Sequence, residues 1–291
     1  MNKSDDLQAF EQPLASLPQT LRQLILERIQ SLTNYEPVIG IMGKSGAGKS
    51  SLCNELFRGE VSPVSDVNAC TRDVLRFRLR SDRHSLVIVD LPGVGENDQR
   101  DHEYAALYRR MLPEIDLVLW VIKADDRALS VDEQFWRGVM RMHQQQVLFV
   151  INQADKIEPS HEWDTLTCTP SAQQQANLKA KQAAITAVFN PHHPVCVVSA
   201  CTGWGIEEMV ATMMRNLPDR ATSPLATQLH RRLCTEPVKK QARDSFGDSV
   251  GKVFDSMESS SFLPAPLKTV ISSVRDVVVL VARAVWDWIF F

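Results

Sequence analysis

The run Gly43-Lys44-Ser45-Gly46-Ala47-Gly48-Lys49-Ser50 carries the densest chemistry in this chain. It fits the pattern GxxxxGK[ST] and, with Ser51 behind it, lies between a short apolar tract at 37–42 and a helical pattern, the setting such a loop requires. Its glycines let backbone N–H groups converge on phosphate oxygens, and the next helix adds the positive end of its dipole. Lys49 would neutralise charge on β- and γ-phosphates, and the Ser50 hydroxyl would ligate Mg²⁺. Asp90-Leu91-Pro92-Gly93 ends a second apolar run, where Asp90 can reach the Mg²⁺ shell and the Gly93 amide the γ-phosphate. Asn152-Gln153-Ala154-Asp155 ends a third. The Asp155 carboxylate suits the N1–H and N2–H₂ donors of guanine, which adenine lacks, and Asn152 would brace the phosphate loop. Ser199-Ala200 follows the last apolar run, where the Ala200 N–H could meet guanine O6.

These loops need a frame. Apolar tracts at 37–42, 86–90, 115–122, 147–152 and 195–199 read as buried strands, and the alternation of Leu75, Phe77 and Leu79 with Arg76, Arg78 and Arg80 as a half-exposed strand. Helical patterns near 100–112, 130–144, 173–189 and 205–216 separate the later ones. Buried strands alternating with helices predict a mostly parallel sheet covered on both faces. An amphipathic helix over 14–33 (Leu14, Leu17, Leu21, Leu24, Ile25, Ile29) precedes them, with Pro18 in its first turn. The segment 156–172 reads as an irregular insertion, and 219–262 as polar with weak periodicity.

In order and spacing, the four motifs resemble the guanine-nucleotide motifs of the P-loop GTPases, in particular the bacterial Era, EngA and TrmE-like branch. The resemblance covers residues 36–217. It implies a three-layer α/β P-loop NTPase G domain with a mostly parallel sheet, flanked by an N-terminal helix and a helical C-terminal extension. The domains expected are 1–35, 36–218 and 219–291. It further implies GTP/GDP and Mg²⁺ as ligands, a catalytic set of Lys49, Thr71 and Gly93, and Mg²⁺ held by Ser50, Asp90 and Thr71. Thr71, in Thr71-Arg72-Asp73, takes its role from the resemblance alone.

Three positions depart from the family pattern. Gln153 stands where the family has a lysine whose stem stacks on the base; glutamine keeps part of that packing without the charge, which implies guanine specificity at weaker affinity. Gly46 stands where potassium-stimulated members have asparagine, which speaks against potassium activation. Val94 stands where Ras-like proteins carry a water-orienting glutamine, so intrinsic hydrolysis is expected to be slow, with a homodimer or protein effector completing the site. Glu96 and Asp98 read as a solvated loop. The arginines at 72, 76, 78 and 80 read as the wet face of an edge strand, with an arginine finger or an RNA contact as the alternative.

The tail carries a second signal. Leu267, Val270, Val274, Val278, Val281, Val285 and Trp288 share one helical face opposite Lys268, Arg275, Asp276, Arg283 and Asp287. Such a helix folds back on its own protein or docks on a partner or a membrane surface; its charged stripe argues against a transmembrane span. Composition narrows the rest. Thirty-two Lys plus Arg against thirty-five Asp plus Glu leave a net charge of −3, which argues against a polybasic nucleic-acid coat. No GxxG loop follows residue 218, so ribosome or RNA binding is implied by the family only. The start lacks the apolar core of a secretory signal, and six scattered cysteines without a CxxC pair read as reduced thiols. The expected place is the cytoplasm, peripheral at the inner membrane if the tail docks on lipid. The expected function is a GTP-hydrolysing conformational switch; the alternative is a GTP-gated interaction or membrane-tethering module with negligible turnover. An ATPase is disfavoured by Asn152–Asp155.

Overall fold

A computed structural model describes residues 7–63, 75–81, 83–92, 98–259 and 264–291. The chain runs through α1 (Gln8–Glu11), α2 (Gln19–Thr33), β1 (Val38–Met42), α3 (Lys49–Leu56), β2 (Glu60–Pro63), β3 (Leu75–Ser81), β4 (His84–Asp90) and α4 (Asp98–Met111). It continues with β5 (Leu117–Lys123), α5 (Ser130–Gly138), β6 (Val147–Asn152), α6 (Ala172–Phe189), β7 (Cys196–Val197) and α7 (Ile206–Asn216). The last helices are α8 (Asp219–Gln228), α9 (Glu236–Glu258), α10 (Ala265–Ala284) and α11 (Trp286–Phe290). Two compact units result: Pro37–Leu217 with Gln228–Leu233, and Met1–Glu36 with Pro218–Thr227 and Cys234–Phe291.

The first unit is built on a seven-stranded sheet in the order β2-β3-β4-β1-β5-β6-β7. β4, β1, β5, β6 and β7 run parallel, while β3 pairs antiparallel with both β4 and β2. β2 is therefore the edge and β3 lies inside the sheet, not at the edge that its alternation suggested. Arg76 is half-buried on it and pairs with Glu114 at 2.7 Å. A polar outward face on an interior strand survives where a long arginine stem covers apolar surface while its head finds an acid, as Arg76 does with Glu114. β5 and β6 are buried along almost their whole length, the continuous apolar pattern of strands covered on both faces.

Aromatic rings fill the layer between this sheet and its helices. Trp120 stacks on Phe149 at 5.1 Å and Phe149 meets Phe189 at 4.8 Å, while Trp136 donates its indole N–H to the Phe189 carbonyl at 2.7 Å. Trp120 has no exposed surface. Trp120→Ala is expected to lose about 3–5 kcal/mol of stability, since the void is walled by rigid rings that cannot collapse into it. Chemical denaturation followed by far-ultraviolet circular dichroism checks this; a loss below about 1 kcal/mol would contradict the packing described.

In the second unit, Pro18 caps the start of α2, which therefore begins at Gln19 rather than at residue 14, while Leu14 and Leu17 are buried in the turn before it. Most of the segment 219–262 is helical, contrary to its weak periodicity. The reason lies in α9, whose buried face includes Ala242, Ser245, Gly247, Ser249 and Gly251 between Val238, Phe246 and Phe254. Small residues read as polar or neutral in a hydrophobic pattern, yet they let α10 approach closely. Arg275 and Arg283 of α10 reach Asp255 and Asp248 of α9 at 2.7 and 2.8 Å.

The tail also turns differently from the expected face. α10 buries Ile271, Val274, Val278 and Ala282, and the break at Val285 swings Trp286, Ile289 and Phe290 inward while Trp288 stays exposed. The Trp286 N–H donates to Ser223 Oγ at 2.8 Å, and Ser223 donates in turn to the Ala242 carbonyl at 2.9 Å. The tail is thus folded into its own helical unit. Among the described residues, no helix is long and apolar enough to cross a membrane.

Candidate functional site

The loops after β1, β4, β5 and β6 all leave the sheet at its carboxyl end, where open α/β sheets bind ligands. The loop after β1 turns on glycines. Gly48 has φ +88°, and a Cβ there would lie 2.4 Å from Asn152 Nδ2; Gly43 has φ +144°, and a Cβ there would lie 2.2 Å from the Val121 carbonyl oxygen. Both the backbone shape and the space demand glycine. α3 then begins at Lys49, so its free N–H groups face the concavity of the loop. Lys49 is half-buried and donates to the Gly43 carbonyl at 2.9 Å, which holds the ammonium folded over the loop. Ser45, Gly46, Ser50 and Ser51 are exposed along it, and Ala47 is buried beneath.

Asp90 ends β4 beside β1. Its Oδ1 is buried without a hydrogen-bond partner among the described residues. Burial raises the carboxyl pKa, opposed by the charge of Lys49. An orphaned, desolvated carboxylate oxygen at the mouth of a phosphate-type loop is the donor a hard divalent cation takes, so Asp90 and the Ser50 hydroxyl fit a Mg²⁺ ion. Thr71 and Gly93, the remaining members of the expected catalytic and metal set, lie outside the described residues, as do Val94 and Glu96.

Across the crevice, the residues after β6 tie three loops together. Asn152 is buried, donates from Nδ2 to the Ala47 carbonyl at 2.9 Å, and accepts at Oδ1 from the Ala200 N–H at 3.0 Å. Gln153 has φ +63° and donates from Nε2 to the Gly46 carbonyl at 2.7 Å. The Ser199 hydroxyl donates to Asp155 Oδ1 at 2.6 Å, which fixes the carboxylate. The Ala154 N–H donates to the Val198 carbonyl at 3.1 Å, keying this turn to the last strand. The order Asn152, Asp155, Ser199, Ala200 is therefore one connected bracket.

The motifs did not mark out a brace on Lys44. Its ammonium pairs with Asp126 at 3.0 Å and Asp132 at 2.9 Å, and also donates to the Ala128 carbonyl. Burial alone would lower the Lys44 pKa, but hydrogen bonds and charge from Asp132 and Asp126 outweigh it and hold the pKa above the usual lysine value. Lys44 is thus committed to anchoring the phosphate loop. A cavity of about 530 Å³ opens beside Lys49, Ser50 and Asp90, lined further by Cys53, Phe57 and Phe77. Burial pushes the Cys53 thiol up to about 12, so it remains protonated there.

The sequence model of a family described as "50S ribosome-binding GTPase" matches residues 38–153. The uncharacterized proteins YkfA and YfjP of Escherichia coli (strain K12) are 53% and 51% identical over 291 residues, the full length of this chain and of each of them. GTPase Era of Aquifex aeolicus (strain VF5) is 26% identical over 185 residues, 62% of this chain and 56% of Era. With the sheet order, the phosphate loop and the bracket after β6, these likenesses place the chain in a family: it belongs to the bacterial P-loop GTPases related to Era.

Proposed function

We propose that this protein binds GTP and GDP with Mg²⁺ and hydrolyses GTP to GDP and phosphate as a conformational switch. The carrying observation is the bracket in which Asn152 joins the phosphate loop to Ala200 while Ser199 holds Asp155. It fixes at one spacing a triphosphate cradle and a carboxylate suited to the N1–H and N2–H₂ edge of guanine. The loop amides and Lys49 would bind the β- and γ-phosphates, and Ser50 with Asp90 would hold Mg²⁺. Bound Mg²⁺ would offset the charge that builds on the phosphate oxygens. Thr71 and Gly93 would be held by the γ-phosphate and let go after hydrolysis.

Among the described residues Lys49, Ser50 and the loop amides donate and Asp90 would be taken up by Mg²⁺, while Val94 stands where a water-orienting glutamine would act. Hydrolysis by the isolated chain should therefore be slow, on the order of 10⁻³ per second or below, and a second copy or a protein effector would complete the site. A ribosomal partner is favoured by the family description. The test is binding and phosphate release by the purified full chain in Mg²⁺ buffer. GTP and GDP should bind at micromolar concentration, excess ATP should not displace them, and phosphate should appear slowly. Displacement by ATP would refute the guanine reading, and binding with no phosphate release would favour a GTP-gated interaction module.

A further inference from the structure

Two side chains, not one, converge on Gly46 at the crest of the phosphate loop. Gln153 donates to its carbonyl, and the Lys123 ammonium comes from the carboxyl end of the neighbouring strand: a Cβ built on Gly46 would lie 3.3 Å from Lys123 Nζ and 3.5 Å from its Cε. The register explains the meeting. Lys123 ends β5 directly opposite Asn152 in the parallel pairing with β6, and the next N–H, of Ala124, donates to the Asn152 carbonyl at 2.9 Å. Lys123 is thus carried by the same strand ends as the bracket.

Its neighbours are cationic as well, but they are committed. Lys44 is held by Asp126 and Asp132, and Lys181 donates to the Asp126 carbonyl. The Lys123 ammonium makes no hydrogen bond or ion pair with any described residue, although the residue as a whole is half-buried. Placing that ammonium beside a loop whose free amides face its concavity is favourable once an anion arrives there.

We propose that Lys123 is a nucleotide-binding residue, supplying beside Gly46 the positive charge that Gln153 cannot, and contacting the polyphosphate of the bound nucleotide. This rests on the guanine-nucleotide reading above. Gln153 already reaches the same carbonyl, so a lysine there would bring an ammonium to the same place. The charge can therefore be removed from one strand end and restored from the other.

The experiment titrates GTP and GDP into the full-length protein by calorimetry at two salt concentrations, with folding monitored by thermal melting. Lys123→Gln should weaken both nucleotides about tenfold, as expected for one charge-assisted contact, and flatten the salt dependence, with the melting temperature of the nucleotide-free protein unchanged. Lys123→Arg should bind nearly as wild type. Lys123→Ala combined with Gln153→Lys should recover most of the affinity that Lys123→Ala loses. Wild-type affinity in Lys123→Gln, or no recovery in the double variant, overturns this inference while leaving the guanine reading standing. Failure of the wild-type protein to bind either nucleotide overturns both.

Discussion

Lys49→Ala is expected to take guanine-nucleotide binding out of calorimetric range while leaving the fold intact. Among the described residues the Lys49 ammonium donates only to the Gly43 carbonyl, at 2.9 Å, and Lys49 is half-buried at the head of α3, so its truncation removes little packing. In the nucleotide complex the same ammonium would face two phosphates. Contacts to charged groups are worth about 1.5–3 kcal/mol each, which puts the loss at on the order of 10² to 10⁴-fold. Calorimetry on the variant, with its melting curve beside that of the wild-type protein, makes the comparison. Unchanged binding would remove the phosphate site from this account.

The second large effect concerns the base. Asp155→Asn should lower GTP affinity on the order of 100-fold and bring XTP binding up from nothing measurable. Ser199 donates to one oxygen of Asp155 at 2.6 Å, and an asparagine can keep that bond with its carbonyl oxygen, which turns its NH₂ group toward the ligand. Guanine then presents donors to a donor, whereas xanthine has a carbonyl at that position. The variant should fold normally, because the bracket from Asn152 to Ala47 and Ala200 is untouched. Competition between labelled GTP and XTP reads the outcome, and retention of GTP preference would sink the assignment of Asp155 to the base edge.

Lys49 and Asp155 could be singled out before any coordinates because both lie in short runs whose spacing along the chain is also their spacing in space. A loop between a strand and the helix it starts is a local object, so Gly43–Ser50 were legible. So was the position of Asp90 at the end of β4, since a buried apolar run announces its own terminus. Lys123 and the Lys44 brace were not legible in the same way. Lys44 meets Asp126 and Asp132 across more than eighty positions of sequence, and Lys123 reaches Gly46 only because β5 pairs beside β1. No local pattern distinguishes such lysines from any solvated one.

The helical unit shows the complementary failure. Residues 219–262 carry only a weak hydrophobic pattern because α9 buries glycine, alanine and serine, and the pattern of an interface made by close approach is absence of side chain rather than presence of apolar ones. For the tail, the period predicts a helix and places Val274 and Val278 on its buried face, but the break at Val285 exchanges Trp288 for Trp286.

By itself, then, the order of residues determined which loops could hold phosphate, metal and purine, and that a parallel sheet must present them, because those properties depend on groups within a few positions of one another. Tertiary structure alone decided that β2 rather than β3 closes the sheet, that α9 and α10 nest through small residues, and that a second lysine stands over the phosphate loop. Each of these is fixed by a distant neighbour's shape and charge, which strand pairing and packing bring together and which no nearby residue encodes.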